Sequence, residues 1–149
     1  MASEIRVLSA TGVLGSGFRE ETLKRAMALG PAFIGADSGS TDPGPYYLGS
    51  GETLFSDSAY KRDLRLILLA ARAAKIPALI GSACTAGTDG QLERLAGIAR
   101  AIAREIAREE RLSFKLATIA SEQDKGYLKK KLQQGKITPL AMRPPSTTR

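Results

Sequence analysis

Apolar and polar positions in this chain alternate between two periods. Short apolar runs at Ile5-Arg6-Val7-Leu8, Ala32 to Ala36, Pro77 to Gly81 and Phe114 to Ala120 read as strands. Longer stretches between them carry helical spacing. Glu20 to Leu29 places Leu23, Ala26 and Met27 on one face and stops at Gly30-Pro31. Ala59 to Lys75 follows the capping run Ser56-Asp57-Ser58 and aligns Tyr60, Leu64, Ile67, Leu68 and Ala71, with Leu66, Leu69 and Ala70 adding a second apolar side. Gln91 to Glu110 gathers Leu95, Ile98, Ala99, Ile102, Ala103 and Ile106 on one half and Arg94, Arg100, Arg104 and Arg108 on the other. Lys125 to Gln134 is a short basic helix stopped by Gly135.

Strand and helix therefore alternate four times, with no hairpin signal between neighbouring strands. That order predicts an α/β domain of the three-layer Rossmann- or flavodoxin-like kind, a mainly parallel four-stranded sheet with helices on both faces. The continuous apolar run Pro77 to Gly81 reads as a strand buried on both sides. A single ligand-binding domain is expected over 1–136. Residues 137–149, with three prolines and no periodicity, read as a tail or a truncated linker.

Each predicted strand is followed by a polar turn, at Thr11 to Gly17, Asp37 to Gly51, Gly81 to Gly90 and Ser121 to Asp124. In parallel sheets the carboxyl ends of the strands share one edge, so the four turns should converge there. Asp37 and Asp42 are the candidate acid/base pair: if they approach closely, one carboxyl pKa rises toward neutrality. They could equally cap loop amides, or join Glu122 as oxygen ligands for magnesium or calcium, and no metal or cofactor is assigned. Ser38, Gly39, Ser40, Thr41 and Tyr46 surround the two aspartates. The loop Gly81-Ser82-Ala83-Cys84-Thr85-Ala86-Gly87-Thr88-Asp89-Gly90 has the make-up of an anion cradle, its glycines admitting backbone amides and its hydroxyls donating hydrogen bonds before a helix start. Asp89 could instead cap that helix, and Cys84 reads either as an activated nucleophile or as a small buried thiol. Thr11 and Gly12 open a turn close to the dinucleotide fingerprint of extended short-chain dehydrogenases, with Phe18 where that pattern has its third glycine. No lysine follows Tyr46, Tyr47 or Tyr60 by four residues, so none of these three supplies the tyrosine-lysine pair of those enzymes.

Composition narrows the chemistry further. The chain has no histidine, which removes Ser-His-Asp and Cys-His catalysis and His-ligated zinc within it. The net charge of +7 resides in the tail: Lys125 to Arg149 holds five Lys and two Arg with no acid, and the remainder is neutral. With aromatics at 5%, nucleic acid is not expected as a partner. No apolar run reaches the roughly 20 residues that span a bilayer, and one cysteine forms no internal disulfide, so a cytoplasmic protein off the membrane is expected.

Four stretches, IRVLSATGVLGSGF, GADSGSTDPGPYYLGSG, KRDLRLILLAARAAKIPALIGSACTAGTD and FKLATIASEQDKGYLK, resemble the N-terminal part of acyclic terpene utilisation (AtuA-like) proteins. The resemblance reaches to about Lys136 and is most specific from Asp37 to Gly49. It implies a larger polypeptide, association with breakdown of branched isoprenoid-derived acids as thioesters, and no transferable catalytic residues. The functional expectation is an enzyme or enzyme subunit that binds a small carboxylate or acyl-thioester and performs lyase or hydratase chemistry, which needs a carboxylate base and an anion cradle but no histidine. A homo-oligomer, or a partner chain supplying the rest of the enzyme, is expected around it. The alternatives are a non-catalytic interaction domain and a nucleotide-binding oxidoreductase.

Overall fold

The computed structural model describes residues 4–39, 44–109 and 113–138. Its elements are β1 (Val7–Ser9), α1 (Glu20–Met27), β2 (Phe33–Gly39), α2 (Gly44–Ser50), α3 (Asp57–Ala74), β3 (Ala78–Thr85), α4 (Asp89–Glu109) and α5 (Lys125–Gln133). The chain is of α/β class. The predicted tail lies outside the described residues from position 139 onward.

Helix α3 forms where its cap and its stripe agree. Ser56 Oγ accepts the Ala59 N–H at 3.3 Å, Tyr60, Leu64, Ile67 and Ala71 are buried, and Lys75 closes the helix in the left-handed conformation. Helix α4 buries Leu95, Ala99, Ile102 and Ile106 and leaves its arginine side wet. The two helices pack side by side, bridged at their rims by Lys61–Glu105 at 2.6 Å and Arg94–Asp57 at 2.7 Å. Both ion pairs are largely exposed, so the apolar seam does most of the holding.

The sheet has three strands in the order β1-β2-β3, all parallel. This corrects the expectation of four. Ile34, Ala36 and Ser38 on β2 are buried against the helices, and the core continues through Leu14, Tyr60, Ile67, Cys84, Ile102 and Ile106. Helices α1, α3 and α4 form one layer, because strands added successively in one direction by right-handed crossovers receive their helices on the same face. The expected helices on both faces are therefore absent among the described residues, and the arrangement there has two layers. On the bare face Ile5, Val7 and Leu79 are 72%, 57% and 56% exposed.

Phe114 to Ala120, expected as the fourth strand, forms no ladder. It lies alongside β3 with Leu116 and Ile119 exposed. Every residue from 115 to 120 is exposed, so the run gains no buried face, and a strand's preference for pairing depends on such cover. Helix α5, capped by Asp124 through the Tyr127 N–H at 2.6 Å, has no buried residue. Among the described residues no helix is long and apolar enough to cross a membrane.

Candidate functional site

The four turns that follow the strand and strand-like runs meet at one edge. The Leu14 N–H donates to the Asp37 carbonyl at 2.7 Å, joining the first turn to the second. The Cys84 N–H donates to Ser38 Oγ at 3.1 Å, joining the second to the third. The Asp89 N–H donates to Glu122 Oε2 at 3.0 Å, joining the third to the fourth. Of the expected residues there, Ser40, Thr41 and Asp42 lie outside the described residues, and the pairing of Asp37 with Asp42 lies outside them too.

The first turn is held from within. Asp63 on α3 is 1% exposed, and its Oδ2 accepts the N–H groups of both Gly15 and Gly17 at 2.9 Å. Both glycines have positive φ, +98° and +85°, which aims their amides at that carboxylate. These are the donors a nucleotide phosphate would need, and a carboxylate of the same chain already takes them. Thr11 Oγ1 is likewise spent on the turn, donating to the Val13 carbonyl and meeting Ser16 Oγ, whereas Gly12 faces open space. Asp63 interrupts the apolar stripe of α3, three residues after Tyr60 and four before Ile67, and that position was the signal for it in the sequence.

The predicted cradle is in good part strand. β3 continues to Thr85, and its register against β2 breaks between Asp37↔Gly81 and Gly39↔Thr85. Ser82, Cys84 and Thr85 adopt φ of +47°, +52° and +100°, conformations that cost L-residues about 1–3 kcal/mol each. Hydrogen bonds hold the last two of them and the residue that follows. Thr85 Oγ1 accepts the Leu54 N–H at 3.0 Å and lies 3.3 Å from Tyr60 Oη, while Gln91 Oε1 accepts the Ala86 N–H at 2.9 Å. Ser38, Gly39, Cys84 and Thr85 consequently face inward and present nothing to a ligand. Thr88 caps α4 by accepting the Gln91 N–H at 3.2 Å, so the helix begins two residues earlier than expected, and Gly87, at φ +67°, turns the chain into it.

Cys84 is fully buried, and burial pushes its thiol up to about 11 from an ordinary 9.0. At neutral pH it is a neutral thiol, not a nucleophile. The native protein is expected to resist iodoacetamide at pH 8 while the urea-unfolded chain is alkylated. Because the folded pKa is the higher one, the unfolded chain loses its proton first. The associated stability is complete below pH 9 and disappears as pH rises from 9 to 11, by about 3 kcal/mol. Urea titrations of Cys84→Ala should lack that part of the decline.

What remains accessible is Gly12, Asp37, Tyr46, Gly81, Ser82, Asp89 and Glu122. Asp37 Oδ1 accepts the Gly39 N–H at 2.8 Å; a Cβ on Gly81 would stand 3.9 Å from the same oxygen. Tyr46 Oη donates to Glu52 Oε2 at 3.2 Å, and the charge of Glu52 raises the phenol above its usual range. Among the described residues no three Asp, Glu or Cys side chains gather closely enough to hold a metal ion.

From Gly81 and Ser82 a cleft of about 760 Å³ runs along β3, walled by residues 114–121 on its far side. Its other end holds Arg72, Lys75 and Lys115, none of which the sequence pattern singled out. The chain matches no family model, no curated protein and no solved structure.

Proposed function

We propose that this chain is an enzyme or enzyme subunit that binds a small carboxylate or acyl-thioester at the carboxyl ends of its strands. The observation behind this reading is the Asp89 amide at the start of α4, which already receives a carboxylate, that of Glu122, in an exposed setting. A helix start stabilises such an anion through its free amides and its dipole. Asp37, exposed on the same edge, is the acid/base group of a lyase or hydratase step. The resemblance to acyclic terpene utilisation proteins, a Rossmann-like completion of the sheet and a cytoplasmic setting belong to the same proposal.

Thermal-shift titration with short carboxylates and acyl-coenzyme A esters tests it. Glu122→Gln takes the charge from the internal competitor and is expected to strengthen carboxylate binding several-fold. Asp37→Asn is expected to keep binding and lose turnover. A wild type and a Glu122→Gln variant that both fail to respond would overturn the reading.

A second reading, a non-catalytic interaction domain, is favoured by the bare sheet face with its exposed Ile5, Val7 and Leu79. Sedimentation decides it: self-association, or co-sedimentation with a partner chain, supports it, and a clean monomer at high concentration counts against it.

A further inference from the structure

Backbone pairing along β3 is one-sided. Its inner edge is bonded to β2, whereas no backbone hydrogen bond among the described residues joins its outer edge to the run 113–121 beside it. Helix α4 returns the chain to the far edge of the sheet, and Glu122 then meets Asp89 at the near edge, so 113–121 travels in the same direction as β3. Two extended runs thus flank the cleft. It extends from Ile76 to Ala83, roughly 20 Å at strand spacing, the length of six or seven extended residues.

The cleft is charged at one end only. Arg72, Lys75 and Lys115 stand where β3 begins, and the lining contains no Asp or Glu. With three cations and no acid to neutralise them, this end of the cleft suits a carboxylate, the group that a guanidinium binds best. Ile80, Leu92 and Leu116 supply apolar walls further along.

We infer that this cleft receives an extended acidic peptide strand of a partner protein, lying parallel to β3 and bonded to its outer edge. A carboxylate near its N-terminal end meets Arg72, Lys75 and Lys115. A peptide fits better than an alkyl chain, because the wall formed by β3 is a row of unpaired backbone donors and acceptors that hydrocarbon would leave unsatisfied. This inference does not rest on the strand-end carboxylate site, although the cleft touches that site at Gly81 and Ser82.

The test is fluorescence anisotropy of the full chain with a fluorescein-labelled seven-residue peptide of alternating valine and threonine that begins with glutamate. Saturable binding is expected. It should weaken about tenfold for the peptide that begins with glutamine, and about as much for Arg72→Met. Lys115→Gln, at an exposed position, gives the same direction of change should Arg72→Met fail to fold. Hydrogen exchange at the outer-edge amides of β3 should slow on binding. Absence of saturable binding, equal affinity for the two peptides, or saturable binding of decanoate without peptide binding would overturn the proposal.

Discussion

Replacing Gly39 by alanine is expected to lower unfolding free energy by about 3 kcal/mol and the melting temperature by roughly 10 °C, read by urea titration and calorimetry. A Cβ at this position would stand 2.4 Å from Ser82 Cβ and 2.9 Å from the Thr85 carbonyl oxygen. One of these neighbours is backbone, and Gly39 is paired with Thr85 across the register break, so the strain cannot be relieved by a rotamer change. Ser82→Gly alone removes the opposing Cβ and also frees a residue at φ +47°, and is expected to be neutral or stabilising. Combined with Gly39→Ala it should recover most of the loss. A double variant as unstable as Gly39→Ala alone would show that the approach to Ser82 is not the cause.

A loss of similar size is expected for Asp63→Ala, about 3 kcal/mol by the same titration. The substitution leaves the Gly15 and Gly17 amides without their acceptor and removes the ionic partner of Arg62, whose Nη1 lies 2.6 Å from Asp63 Oδ1. Asp63→Asn keeps one acceptor oxygen and should cost about half as much. The two variants should also differ at the first turn, where amide exchange at Gly15 and Gly17 accelerates strongly with alanine and modestly with asparagine. Unchanged exchange in Asp63→Ala would mean that the turn is fixed by something other than this carboxylate.

Elements whose signal is local were readable from the sequence. The Ser56 cap, the Tyr60-Leu64-Ile67-Ala71 stripe, the arginine side of α4 and the Gly30 and Gly135 stops all depend on spacing within one helix or on one backbone angle. The gathering of turns at a single edge follows from parallel topology and was readable for that reason. Elements decided by distant partners were not. β3 runs four residues past its predicted end because Ser38, Leu54 and Tyr60, remote in sequence, hold Cys84 and Thr85 at positive φ, which propensity places in a loop. The short helix α2 falls within a stretch whose glycines and prolines read as irregular. Phe114 to Ala120 has the composition of a strand but lacks the second layer that composition takes for granted. In the candidate site, the hydroxyls of Ser38 and Thr85, which looked available, became internal fasteners, since a strained strand end needs its polar groups for itself, and the Cys84 thiol is packed into the core.

Strand order that advances steadily from β1 to β3, with every described crossover leaving toward the same side, governs how a small molecule can approach. Open parallel sheets offer a mouth where consecutive connections part toward opposite faces. Here no such parting occurs among the described residues, and the loop above β1 leans on the end of β2 through Leu14 and Asp37. Among the described residues a small molecule therefore finds its open flank beyond β3, where residues 114–121 stand across the cleft.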